Sequence, residues 1–147
     1  MRRDLVVAAV LVLLADQATK AWVLARMEFG ASLPLVPPLV RITLWRNTGI
    51  AFGLLSGANE LVALAAVAAA VWLVLYHRDR WQLRVVRVGT GMVLGGAVGN
   101  LVDRVRFGYV VDFLELPYWP IFNVADACIV TGGVLLILSS LRSGRRP

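Results

Sequence analysis

Asp112 and Asp126 stand where an apolar chain has little structural use for charge. Asp112 lies in Gly108-Tyr-Val-Val-Asp-Phe113, between Val110-Val111 and Phe113-Leu114. Asp126 lies in Phe122-Asn-Val-Ala-Asp126, just inside an apolar run long enough to span a bilayer. An ionisable group in a membrane is costly, and so marks function by default. Two acids with no basic partner close in sequence can share one proton. One then takes a proton from water while the other donates one, which is the acid–base chemistry of a carboxylate dyad.

The remaining polar residues of the apolar runs fall on the same side. Asp16, Gln17, Thr19 and Lys20 end the first run, Asn100, Asp103 and Arg104 end the third, and Asn123 and Asp126 open the fourth. Asn47 and Asp112 lie in the loops of that side. Helical spacing puts Asn123 and Asp126 on one face, and Asn100 on a face with Asp103 and Arg104. Asp16 and Lys20 are four apart, in the order that favours an ion pair. That pair reads most simply as structural, and Asp103–Arg104 as a site group or an exposed anchor at a helix end. For a helix opening at 121, ~1.5 Å per residue puts Asp126 about 7–8 Å below its start.

These residues need a scaffold, and the composition says which kind. The chain has 147 residues, 59% of them hydrophobic, with a mean hydropathy of +0.76. The expectation is one membrane-embedded domain, residues 1–147. Apolar runs at about 5–24, 58–76, 85–102 and 121–141 each approach the ~20 residues that cross the hydrocarbon core. The expected fold is an all-α integral membrane protein with four transmembrane helices. Outer loops span 25–57 and 103–120, and a small extracytoplasmic β-sheet lies between the first and second helices. Val40-Arg-Ile-Thr-Leu-Trp45 alternates as a half-buried strand does, Tyr109-Val-Val111 is extended in character, and Asn47-Thr-Gly49 is a turn signal. The first run follows Arg2-Arg3 but meets no small-x-small cleavage site, so it reads as a retained helix. Gly91, Gly95 and Gly99, with Gly96 beside them, give the third run a face that another helix can approach closely.

Charge sets the orientation. Nine of the 15 basic residues, against Asp4 and Asp79, fall at one end of the runs; six basic residues and seven acids fall at the other. The positive-inside rule puts both termini and the 77–84 loop in the cytoplasm. The net charge of +6 does not imply nucleic acid, because the basic residues cluster at run ends without interleaved aromatics. Cys128, the single cysteine, excludes an internal disulfide and reads as a small buried hydrophobe. His77, the single histidine, sits among arginines at the membrane surface, and no zinc-site spacing exists.

Taken in order, the motifs resemble prolipoprotein signal peptidase (signal peptidase II), a family of bacterial membrane aspartic proteases. They are Asp16-Gln-Ala-Thr-Lys20, Asn47-Thr-Gly-Ile-Ala-Phe-Gly53, Gly95-Gly-Ala-Val-Gly-Asn-Leu-Val-Asp-Arg104, Gly108-Tyr-Val-Val-Asp-Phe113 and Phe122-Asn-Val-Ala-Asp-Ala127. The resemblance covers nearly the whole chain. It implies that Asp112 and Asp126 are the catalytic dyad and that Asn47, Asn100, Arg104 and Asn123 line the substrate site. Asp16, Lys20, Gly99 and Asp103 support it. The implied fold has four helices, a small extracytoplasmic sheet and a flexible helical segment in the outer loop. The implied substrate is a lipoprotein precursor cut just before a diacylglyceryl-modified cysteine, with acyl chains against residues such as Phe52 and Leu54. The implied setting is the bacterial cytoplasmic (inner) membrane, with membrane phospholipids around a monomer, and no cofactor, metal or nucleic acid.

Other chemistries compete. Lys20 is the only lysine, and Ser32 and Ser56 fall on its side, so a serine–lysine peptidase is a rival. It leaves both aspartates unexplained. A proton-coupled transporter would need polar groups through to the cytoplasmic side, yet 61–75 contains no charged residue. A purely structural bundle explains the glycines but not five polar motifs at one depth.

Overall fold

A computed structural model describes residues 3–49, 68–69, 71–72, 74–76 and 80–143. Among these lie α1 (Arg3–Leu24), β1 (Ser32–Val36), β2 (Val40–Asn47), α2 (Arg84–Phe107), β3 (Val110–Glu115) and α3 (Val124–Ser143). All three helices are long and apolar enough to cross a membrane. Most of the run expected at 58–76 lies outside the described residues; residues 68–69, 71–72 and 74–76 are helical. His77 also lies outside them.

The helix α2 is the central element and packs against both α1 and α3. Its glycines explain how. A Cβ at Gly95 would stand 2.5 Å from the Ala9 carbonyl oxygen of α1, and one at Gly96 would stand 2.5 Å from the Ala125 carbonyl oxygen of α3. Adjacent glycines therefore bring a neighbour's backbone against each side of the helix.

Two helix boundaries differ from the sequence expectation. The central helix runs five residues past 102, through Asp103 and Arg104, because their side chains turn inward. It ends at Gly108, whose φ of +76° is the left-handed cap and whose N–H donates to the Arg104 carbonyl at 2.9 Å. The last helix opens at Val124, not 121. Phe122 is held in a strand-like bridge: its N–H donates to the Leu114 carbonyl, and its carbonyl accepts from Phe113 and Leu114. Asp126 thus sits in the first turn.

The sheet is antiparallel in the order β1-β2-β3. Its third strand comes from the loop after α2, so the sheet is not confined to the connection after α1. Residues Phe29–Leu39 supply the first strand of this hairpin. No helix lies among residues 25–49, and residues 50–57 are outside the described set. A bulge between Ile42 and Trp45 shifts the β2–β3 register and sets Trp45 opposite Asp112. Leu44, Val111 and Phe113 pack with Val23 of α1, fixing the sheet to one end of the bundle. Cys128 is only partly buried.

Candidate active site

Four elements deliver the site. Strand β2 ends at Asn47, where the side-chain oxygen accepts the Gly49 N–H at 3.0 Å in a tight turn. Strand β3 carries Asp112, helix α2 carries Asn100 and Arg104, and the start of α3 carries Asn123 and Asp126. Asn123 caps α3: its Oδ1 accepts the Asp126 N–H at 2.9 Å, and Asp126 Oδ2 accepts the Asn123 N–H at 3.3 Å. This reciprocal capping box fixes the Asp126 carboxylate over the first turn.

Asparagine amides join the two aspartates. Asp112 Oδ2 accepts from Asn47 Nδ2 at 2.8 Å, and its Oδ1 from Asn123 Nδ2 at 2.7 Å. Asn123 Nδ2 also reaches Asn100 Oδ1 at 3.0 Å, and Asn100 Nδ2 donates to Asp126 Oδ1 at 2.8 Å. Asp112 is only 1% exposed. Burial first, and the neighbouring Asp126 charge second, push its carboxyl up to about 7, although the Asn47 and Asn123 amides and the Lys20 charge act the other way.

A cleft of ≈ 260 Å³ opens beside this network. Its polar lining is Asn47, Asn100, Arg104 and Asp126, and its apolar lining includes Trp119, Phe122, Ile129 and Val130. The guanidinium of Arg104 touches the carbonyls of Asn100 at 3.4 Å and Gly49 at 3.3 Å, while its Nε has no hydrogen-bond partner among the described residues. Such a fork, half-buried and loosely held, can bind carbonyl or anionic oxygen.

Behind the asparagines lies a buried ion cluster. The Lys20 ammonium stands 2.8 Å from Asp16 Oδ2, 2.9 Å from Asp103 Oδ2 and 3.0 Å from Asn100 Oδ1. Its three N–H groups match three acceptors. Gln17 Nε2 donates to Asp103 Oδ1 at 3.0 Å and to Asp16 Oδ2 at 3.2 Å. Gly99 makes room for this cluster, since a Cβ there would stand 2.6 Å from Asp16 Oδ2. Asp103 is buried, so it is not an exposed anchor.

All ten residues singled out from sequence therefore meet at one end of the bundle. Phe52, Leu54 and Ser56 lie outside the described residues. Ser32 is remote from Lys20, bonded on β1 to Thr43 Oγ1 at 2.6 Å and to Arg41 Nε at 2.8 Å. Sequence reasoning missed the Gly49 carbonyl and the lining by Trp119, Ile129 and Val130; the aromatic Tyr118-Trp119-Pro120 segment, suited to a membrane interface, is the signal that could have found part of it. Among the described residues no group of three His, Cys, Asp or Glu side chains is placed to hold a metal.

The family model described as Signal peptidase (SPase) II matches residues 8–142. The lipoprotein signal peptidase of Pelotomaculum thermopropionicum is 50% identical over 126 residues, covering 85% of this chain and 83% of its own. That of Halothermothrix orenii is 39% identical over 132 residues, covering 90% and 91%. A solved bacterial membrane enzyme structure, obtained by the in meso method at 2.3 Å, superposes with a TM-score of 0.87 at 31% identity, covering 96% of this chain and 89% of its own. A second, at 1.9 Å, gives 0.81 at 32% identity, covering 93% and 92%. A family match over nearly the whole chain, on a bundle whose helices are built to cross a membrane, makes this a multi-pass membrane peptidase of lipoprotein processing: the chain belongs to the signal peptidase II family.

Proposed function

We propose that Asp112 and Asp126 form an aspartic dyad that removes the signal peptide from diacylglyceryl-modified prolipoproteins, cutting just before the lipidated cysteine. The observation that carries this reading is the pair itself. Two carboxylates, from β3 and α3, are joined through Asn123 and Asn100 beside a cleft with polar and apolar lining. Asp126 lines the cleft and Asp112 lies behind it.

The division of labour follows from that difference. Asp126, which lines the cleft, takes a proton from a water bound there, the pair holding one proton between them. Asp112, buried and held near neutral pH in its protonated form, donates to the scissile carbonyl oxygen as the tetrahedral intermediate forms. When the intermediate collapses, the C–N bond breaks, and the proton taken by Asp126 passes to the leaving amine. The proton returns to Asp112 from the intermediate's hydroxyl, restoring the resting pair. No covalent enzyme intermediate is required. Asn47, Asn100 and Arg104 hold the peptide backbone or the lipid headgroup region through neutral and charged hydrogen bonds, and the acyl chains run along the apolar lining.

The same reading makes the chain a single domain acting as a monomer. The 58–76 run is a fourth membrane-spanning helix, both termini are cytoplasmic, and the cleft faces the outer leaflet of the bacterial inner membrane. Membrane phospholipids surround it, and nucleic acid has no part. The test is cleavage of a diacylglyceryl-modified precursor peptide and its unmodified twin by purified wild type, Asp112→Asn and Asp126→Asn. Wild type should cut the lipidated peptide alone, and each variant should be folded and inactive. Substantial turnover in either folded variant refutes the dyad, and equal cutting of both peptides refutes the substrate.

A further inference from the structure

The buried cluster behind the dyad has a symmetry that the chain order hides. Asp103 Oδ2 accepts the backbone N–H of Val111 at 3.0 Å. Asp16 Oδ1 accepts the backbone N–H of Ala125, also at 3.0 Å. Val111 immediately precedes Asp112, and Ala125 immediately precedes Asp126. Each member of the proposed dyad is therefore anchored one residue upstream by a buried carboxylate. The Lys20 ammonium holds both of those carboxylates, and its third hydrogen bond goes to Asn100 Oδ1, the amide that donates to Asp126.

We infer that Lys20 is a positioning residue for the cleavage reaction: through Asp16 and Asp103 it ties the backbones that carry Asp126 and Asp112 to one point, and so fixes the separation of the two carboxylates. The inference rests on the dyad reading above. Stability alone gives a weaker reason for the cluster. Lys20, Asp16 and Asp103 are at most 2% exposed, and a buried ion cluster is often no more stabilising than apolar packing of the same volume. What the cluster supplies is directional. Apolar contacts between β3, α1 and α3 would let those elements slide by fractions of an ångström. Two charge-assisted hydrogen bonds to particular N–H groups do not. Gln17, bonded to both acids, stiffens the pair.

The charge also reaches the dyad. The groups acting on Asp112 are the Lys20 cation from α1, the Arg104 cation from α2, the Asp126 carboxylate from α3 and the neutral amides of Asn47 from β2 and Asn123 at the start of α3. Removing the Lys20 cation takes away a charge that favours the carboxylate, so Asp112 should hold its proton to higher pH.

The experiment uses the full-length enzyme in detergent and the diacylglyceryl-modified precursor peptide. The variants are Lys20→Met and the all-neutral Asp16→Asn/Lys20→Met/Asp103→Asn, with Asp112→Asn as control. The triple variant keeps an amide oxygen available to each backbone N–H and buries no unpaired charge, so it should fold even where Lys20→Met does not. Rates are normalised to folded protein by size exclusion and thermal unfolding. Loss of the tie should lower kcat by about 10²-fold while KM changes by no more than about twofold, because misplacing reacting groups by ~1 Å costs about that much. Folded Lys20→Met should also move the alkaline limb of its pH–rate profile upward. Variants that lose folded yield but keep wild-type kcat per folded molecule and an unmoved limb show a merely structural lysine, and overturn the inference. So does a triple variant with wild-type kcat. If Asp112→Asn cleaves normally, the dyad reading falls instead, whatever the lysine variants do.

Discussion

Replacing Asp112 by Asn should change how stability depends on pH. In the folded protein, burial and the Asp126 charge lift the Asp112 carboxyl from 3.8 to about 7. The folded state therefore binds this proton more tightly than the unfolded chain does. Between those two values the protein takes up a proton as it folds, so stability falls as pH rises through that window. The full cost of the buried carboxylate is in place above about 7. Integrated between about pH 5 and about pH 8, it grows by about 2–3 kcal/mol. Asn has no proton to take up and escapes this increase.

Asn brings a cost of its own, one that does not vary with pH. Both Asp112 oxygens accept from amide nitrogens, Asn47 Nδ2 and Asn123 Nδ2. An Asn side chain must turn its NH₂ toward one of them, leaving donors face to face at about 1–3 kcal/mol. The variant should thus be no more stable than wild type at low pH and gain on it as pH rises. For a chain of this length the shift in relative stability corresponds to about 5–10 °C in the difference of unfolding midpoints. The assay is thermal unfolding in detergent followed by the fluorescence of the five tryptophans, at several pH values from about 5 to about 8. A gap between variant and wild type that stays flat, or moves toward wild type as pH rises, refutes the reasoning.

Two further outcomes follow from the same geometry. Cleavage by wild type should fall as pH rises through about 7, because Asp112 then loses the proton it donates; initial rates that climb across that range would exclude Asp112 as the acid. Gly96→Ala should lower the unfolding midpoint by an overpacking cost of about 1–3 kcal/mol, since the new Cβ meets the Ala125 carbonyl oxygen at 2.5 Å. Gly133→Ala meets nothing within 4 Å and should be neutral or stabilising by about 0.5–1 kcal/mol, so equal effects from the two would refute the close approach of α2 and α3.

Local rules read some of this molecule well and fail where one element borrows its bonds from another. The alternation in Val40-Arg-Ile-Thr-Leu-Trp45 marked β2, and the four-residue glycine spacing marked the face of α2 that meets α1. That the polar residues gather at one end was also legible, because their order along alternating runs leaves only one side for them. The end of α2 was not. Asp103 and Arg104 look like a polar terminus until Lys20, 83 positions earlier than Asp103, supplies a buried partner. The start of α3 was not legible either. Ile121-Phe122 is apolar enough for a helix, but the Phe122 carbonyl is claimed by Phe113 and Leu114. The third strand was partly visible at Tyr109-Val-Val111, whereas its pairing with β2 across a bulge depends on contacts that no local window contains.

Charge counting has the same limit. The outer side carries six basic residues and seven acids by sequence, which suggests a nearly neutral surface. Asp16, Asp103 and Asp112 are buried, however, and so is Lys20, while Arg26, Arg41, Arg46 and Arg106 are exposed. Three of those arginines lie over aromatic rings: Arg26 on Trp22, Arg46 on Phe29 and Tyr109, and Arg106 on Phe107. Three of the seven acids are withdrawn into the site, Glu28 stays exposed and Glu115 partly so, and among the described residues the four exposed arginines outnumber those two. By sequence, the opposite ends of the runs carry the larger excess of arginine, nine basic residues against two acids. Charge thus separates in space: arginines stay on the surface, and acids drawn inside, with one lysine among them, accept the backbone N–H groups just before Asp112 and Asp126.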